Sequence, residues 1–262
     1  MEGSMVYSRY DIVAALAEFF GTAYFLFMGV GGCATMISFA PTIAPLAVPF
    51  AFGWSLFVNV WIWSPISGGV LNPAITIAMM VTNNLTIIRG ALYIIAQFAG
   101  ALLGSFLINV MLPNTNQGAA YNASTVLNTV SPAQGFFLEM FATSVLTSAV
   151  FWLATEEAGG STAAFGIGMA LFISAIATGP YTGASLNPAR TFGPSIVSGN
   201  YGDSYWIYYI GPILGALLAA AYWGIFTKLE YEKCSPEKKT KKKKDSNNNV
   251  DAKREFESNE TV

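Results

Sequence analysis

The chain has no histidine, only two cysteines and few charges: 11% of its 262 residues are Asp, Glu, Lys or Arg. Without imidazole, titration near neutral pH loses its usual agent. Cys33 lies in an apolar stretch and Cys234 near the C-terminus, so neither a disulfide framework nor a Cys/His metal cluster can be assembled. The two acids deep in apolar sequence, Glu18 and Glu139, stand far apart rather than as a neighbouring pair. That leaves catalysis little to work with, and neither enzyme activity nor a metal or cofactor is expected. Of thirteen Lys and Arg, only Arg9, Arg89, Arg190 and Lys228 precede Lys233. A nucleic-acid partner would find no basic face.

Hydrophobic residues make up 53% of the chain instead, and six runs are long enough to cross a bilayer. They cover about 11–38, 43–64, 87–112, 133–154, 162–179 and 205–229. The first lacks the short apolar core and cleavage site of a signal peptide, so it reads as a retained span. Six crossings put both ends on one side. Arg9, Arg89, Lys228 and the Lys-rich tail fall on that side, whereas the connections near 39–42, 113–132 and 180–204 hold no Lys or Arg except Arg190. The positive-inside rule makes the termini cytoplasmic, in the plasma membrane or an internal one.

Between the spans lies a doubled motif. Ser67-Gly-Gly-Val-Leu-Asn-Pro-Ala-Ile75 returns 115 residues later as Thr182-Gly-Ala-Ser-Leu-Asn-Pro-Ala-Arg190. Each copy is a helix start: Asn accepts a backbone hydrogen bond as N-cap, and Pro follows with helical φ and no N–H to leave unpaired. The apolar runs after Asn72 and Asn187 reach only ~14 Å at 1.5 Å per residue, half of a ~30 Å hydrocarbon core. Two meeting head to head would span it.

Other echoes fix the architecture. Ala17-Glu18-Phe19-Phe20-Gly21-Thr22 returns as Leu138-Glu139-Met140-Phe141-Ala142-Thr143, and Gln97 to Ala101 as Pro212 to Ala216. Each half holds span, span, short helix, span. Three crossings per half is odd, so the second copy is inserted upside down. The expected fold is an all-α membrane protein of six transmembrane helices and two re-entrant half-helices, with inverted repeats over about 8–112 and 133–230. Gly100, Gly104, Gly211 and Gly215 let neighbouring spans approach closely.

From 231 to 262 the chain has no apolar face to bury and reads as a disordered, Lys-rich cytoplasmic tail. Its Lys cluster is a candidate for anionic lipid, with Thr240 inside it a candidate phosphorylation site. Asn122-Ala-Ser124 is a glycosylation sequon on the expected outer connection, while those at Asn84 and Asn259 fall inside. The inner connection 155–161 carries glycines and acids that would suit a moving loop.

With the two Leu-Asn-Pro-Ala motifs, the paired glutamates and the Gly-Ala positions of the third and sixth spans, residues 8–230 resemble the aquaporins, or major intrinsic proteins. The resemblance implies a passive channel for water, assembled as a homotetramer with one pore per subunit. Asn72, Pro73 and Ala74 with Asn187, Pro188 and Ala189 would bring two helix N-termini to one point, repelling cations while the Asn amides orient passing water. It further implies a narrowest ring of Phe52, Ala175, Ala184 and Arg190. The Ala175 position depends on an ungapped fifth span; a slip of one would substitute Ser174 or Ile176. Water-selective relatives usually have His at the Ala175 position, so this ring would be wider and less polar. Glycerol-conducting relatives carry Asp after the Arg, where Thr191 stands, and Pro-Leu where this chain has Tyr208-Tyr209. Those marks favour water, while the small Ala175 and Ala184 leave hydrogen peroxide, ammonia and urea as further cargo, and a broader glycerol facilitator as the alternative.

Two other classes remain at this stage. In a proton-coupled transporter Glu18 and Glu139 would relay protons; in a channel they would accept hydrogen bonds from the irregular backbone leading into each half-helix. A junctional structural protein would share the fold without using the pore.

Overall fold

The computed structural model describes residues 8–112, 118, 123–154 and 160–234. Eight α-helices occur among them: α1 (Arg9–Phe39), α2 (Ala44–Ser67), α3 (Pro73–Val81), α4 (Ile87–Met111), α5 (Pro132–Ala149), α6 (Gly160–Thr182), α7 (Pro188–Ser198) and α8 (Ile207–Lys228). Six are long and apolar enough to cross a membrane, and α3 and α7 are the two short ones. The fifth span runs to Thr182, past the Gly179 expected to end it, with Pro180 inside its last turn. Contacts divide the chain into Met1–Ala220 and Ala221–Val262. Within the second unit, the end of α8 leads to a 3-10 turn, Tyr231–Cys234, where Lys233 pairs with Glu230. Asn122, Thr240, the 155–159 segment and the tail from 235 lie outside the described residues.

Helix starts follow local chemistry. Ser8 caps α1 in a reciprocal box with Asp11, Ser131 caps α5 with Gln134, and Thr86 caps α4. Asp11 also pairs with Arg89 at 2.6 Å, tying the first turns of α1 and α4 at what we term the near end of the bundle. The last turn of α5 widens into a π turn over Val150–Ala154, a local insertion with no signature in apolar sequence.

Missing side chains set the helix directions. A Cβ on Gly100 would strike the carbonyl oxygen of Phe19 and one on Gly104 that of Ala23, so α4 lies parallel against α1. Gly211 and Gly215 meet Phe136 and Met140 in the same way, placing α8 parallel against α5. On α2 and α6, a Cβ on Gly53 would lie 2.9 Å from the Gly168 oxygen and 2.7 Å from Phe172, and one on Gly168 would lie 2.6 Å from both the Gly53 oxygen and Phe57. That pairing is antiparallel. The second half therefore runs opposite to the first, with Gly53 and Gly168, 115 residues apart, crossing at the axis that relates them.

The half-helices diverge from the middle. The end of α3 reaches the start of α4, where Met80 packs on Gly90; α7 climbs the other way, with Gly193 against Ala101 and Ser105 in the later part of α4.

Candidate functional site

Each half-helix is entered through a backbone segment that a buried carboxylate holds. Glu18 accepts from Ser67 Oγ at 2.6 Å, Val70 N–H at 3.0 Å, Leu71 N–H at 2.7 Å and Gln97 Nε2 at 2.8 Å. Glu139 accepts from Thr182 Oγ1 at 2.6 Å, Ser185 N–H at 3.0 Å and Leu186 N–H at 2.8 Å. Both acids are fully buried. Donors from irregular backbone at membrane depth have no water to turn to, and the carboxylates supply the acceptors. They also hold Leu71 at φ 51° and Leu186 at φ 53°, a left-handed conformation that costs a side-chain-bearing residue about 1–2 kcal/mol. The halves differ at one donor: Gln97 has Pro212 as its mate, so Glu139 has no amide partner there.

Asn72 and Asn187 then cap the half-helices. Asn72 Oδ1 accepts from Ala74 N–H at 3.0 Å, and Asn187 Oδ1 from Ala189 and Arg190 N–H at 2.9 and 3.3 Å. Their Nδ2 atoms cross between halves: Asn72 donates to the Leu186 carbonyl and Asn187 to the Leu71 carbonyl, both at 2.8 Å. A side-chain amide carries two N–H donors, so one on each Asn is left to face the cavity that both residues line.

Arg190 stands one turn into α7 and is buried. Nη1 donates to the Ala123 carbonyl at 2.5 Å and Nη2 to the Gly183 carbonyl at 3.2 Å. Its guanidinium carbon lies 4.5 Å from the centre of the Phe52 ring, close enough for cation–π attraction of roughly 2 kcal/mol in a desolvated setting. Phe52 and Arg190 thus form one continuous wall. Nε is buried with no hydrogen-bond partner among the described residues. Thr191, next in sequence, turns its hydroxyl to Ser185 at 2.6 Å and Thr125 at 2.8 Å.

A cavity of about 380 Å³ joins these residues. Toward the far end, where α1 and α4 close, it is lined by Phe52, Ala175, Ala184 and Arg190; toward the near end by Val60, Ile75 and Ile167. Of the three fifth-span candidates Ala175 alone reaches it: Ser174 turns to the Ala142 carbonyl and Ile176 is 39% exposed on the outer surface. Sequence reasoning missed Ser67, Thr182, Gln97, Ala123 and Gly183 as partners. For Ser67 and Thr182 a signal existed, since hydroxyls open both motif copies. For the carbonyls of Ala123 and Gly183 there was none, because a backbone acceptor leaves no trace in residue type.

Comparison with known proteins adds independent findings. Residues 6–223 match the family described as "Major intrinsic protein". The chain is 59% identical over 219 residues to aquaporin-1 of Rhizophagus irregularis, covering 82% of this chain and 78% of that one. It is 39% identical over 244 residues to aquaporin-7 of Botryotinia fuckeliana, covering 87% of this chain but 52% of that longer protein. Among solved structures, the aquaglyceroporin from Plasmodium falciparum superposes with a TM-score of 0.73 at 22% identity, covering 81% of this chain and 95% of that one, a likeness of fold.

Proposed function

This chain belongs to the major intrinsic protein family, multi-pass membrane channels for water or small solutes, and on that footing we propose that it is a passive, proton-excluding water channel. The near end faces the cytoplasm, as the Arg9 and Arg89 positions favour. The observation that carries the reading is the Asn pair: two half-helix N-termini converge on one point of the cavity, each with a spare amide N–H.

Each terminus carries roughly half an elementary positive charge, so a cation entering the centre meets repulsion from both. A water oxygen there accepts from the two amides and turns its hydrogens toward its neighbours. Proton hopping needs those molecules to reorient, which the pinning opposes. Arg190 adds a second positive barrier. A guanidinium at membrane depth costs at least ~2.5–3.5 kcal/mol on insertion scales, and here two carbonyls and the Phe52 ring offset that cost while leaving its charge toward the lumen. Glu18 and Glu139 act as static braces, each accepting two backbone N–H groups from an entry segment.

Thr191 and the Tyr208-Tyr209 pair favour water over glycerol. Ala175 and Ala184 favour additional small neutral cargo, hydrogen peroxide, ammonia or urea, because both are small side chains in the cavity wall that Arg190 also lines. Since the cavity lies within a single chain, each subunit of a homotetramer would conduct by itself.

Stopped-flow measurement of water, urea, peroxide and glycerol fluxes in proteoliposomes tests the reading. Water flux well above bare lipid, without accompanying ionic current, is the expected result. Ala175→His should lower urea and peroxide fluxes relative to water. Flux at the lipid baseline would instead favour a junctional structural role, and uptake that follows an imposed proton gradient would favour a transporter.

A further inference from the structure

The half-turn that relates the two repeats extends to the cavity wall. Gly68, Gly69 and Leu71 hold positive φ of 93°, 61° and 51°, and their mates Gly183, Ala184 and Leu186 hold 78°, 48° and 53°. The main chain is thus mirrored, residue for residue, on the two sides of the Asn pair. Applied to the far constriction, the same 115-residue offset pairs Phe52 with Ile167, Ala175 with Val60, Ala184 with Gly69 and Arg190 with Ile75. All four mates line the same cavity, on the near side, and all are buried. None has a polar side-chain atom. The far ring presents a guanidinium; its mirror image presents three aliphatic side chains and a glycine.

Such a wall offers a passing molecule no side-chain hydrogen bond. Water in single file loses little there, because its neighbours in the file travel with it and keep it bonded. A urea or polyol molecule must satisfy several polar groups at once, and each one left bare in apolar surroundings is costly. The far ring, whose Ala175 and Ala184 are small, has in Arg190 a side chain able to donate to such a solute. Resistance therefore falls on the near side.

We propose that Val60, Ile75 and Ile167 form a second selectivity ring that sorts neutral solutes by hydrogen-bonding demand, while the Phe52–Arg190 ring sorts them by charge. The proposal deepens the channel reading and rests on it.

The test uses the full chain in proteoliposomes, with Val60→Thr adding a hydroxyl at little change of shape, Ile75→Thr adding one together with the loss of a carbon that Ile75→Val removes alone, and Val60→Ala adding width without polarity. One hydrogen bond is worth a factor of roughly two to ten, so each Thr variant should raise the urea-to-water and glycerol-to-water ratios by about that much, and Val60→Ala and Ile75→Val by clearly less. The substitutions lie on different helices, and water flux above bare lipid reports that a variant has folded. Unmoved ratios in both conducting Thr variants would overturn the ring alone. An equal rise with Val60→Ala or Ile75→Val would also overturn it, by showing that width governs. Wild-type vesicles that swell no faster than bare lipid would remove the channel reading and the ring with it.

Discussion

Asn72 and Asn187 each donate to the carbonyl of the residue that precedes the other, Leu186 and Leu71, at the same 2.8 Å. The exchange joins the two halves at their axis, so the Asn pair on which the proposed channel reading rests is also a structural tie. Replacing Asn187 with Asp removes the donor and sets a carboxylate against the Leu71 carbonyl. An unsatisfied buried acceptor costs about 1–3 kcal/mol, which corresponds to a fall of roughly 2–12 °C in the unfolding midpoint of a chain of this size. Asn187→Asp should show that loss in detergent, and cation current in vesicles, because the added negative charge cancels the positive potential of the helix ends. A variant with wild-type stability would mean the crossed bond carries no weight.

The mirrored left-handed positions respond in opposite ways to one methyl group. Ala184 sits at φ 48° with a Cβ it would be easier without, whereas Gly69 sits at φ 61° with a Cβ position 3.1 Å from the Val60 Cα. Leaving the left-handed penalty of about 1–2 kcal/mol outweighs the roughly 0.4–1 kcal/mol of backbone entropy that glycine adds to the unfolded chain. Ala184→Gly should therefore match or slightly exceed wild-type thermal stability, and Gly69→Ala should lower it. The pair is best compared in one melting series, where equal effects would contradict the reading.

How far these features could be read from sequence depends on how rare their residues are. In a chain so poor in charge, Glu18, Glu139 and Arg190 stand out, and the doubled Asn-Pro-Ala marks the starts of both short helices. Helix faces were not legible, because outward-facing residues such as Tyr24, Met28 and Trp61 are as apolar as the buried Leu26 and Leu56. Bilayer and core make the same demand on a side chain, so periodicity cannot separate them. The Gly53–Gly168 crossing was hidden for another reason: these glycines lie among twenty-three others, and only packing tells which ones have no room to spare.

That crossing carries its own expectation. A Cβ on Gly168 would lie 2.6 Å from the Gly53 carbonyl oxygen, whereas one on Gly179, in the same helix, meets nothing within 4 Å. Overpacking of this kind costs typically 1–3 kcal/mol. Gly168→Ala should lower the unfolding midpoint and the yield of monodisperse protein, and Gly179→Ala should leave both near wild type or raise them slightly through helix propensity. Equal tolerance at the two sites would mean that α2 and α6 can part without loss.

Cys33 bears on inhibition. Resistance to mercurials would be the expectation for a channel with Ala184, rather than Cys, beside its second motif, provided that Cys33 were out of reach. Cys33 lines the same cavity as Phe52 and Arg190, so a thiol-directed reagent entering from the far end has a target inside the lumen. Burial at 3% exposure leaves little clearance around the sulfur, and an adduct there has to project into the passage. Mercuric chloride should therefore lower water flux several-fold, with recovery on adding excess thiol. Cys33→Ser should keep its flux in the presence of the reagent, while Cys234→Ser, on the exposed 3-10 turn, should remain as sensitive as wild type. Inhibition that survives Cys33→Ser would place the blocked site elsewhere.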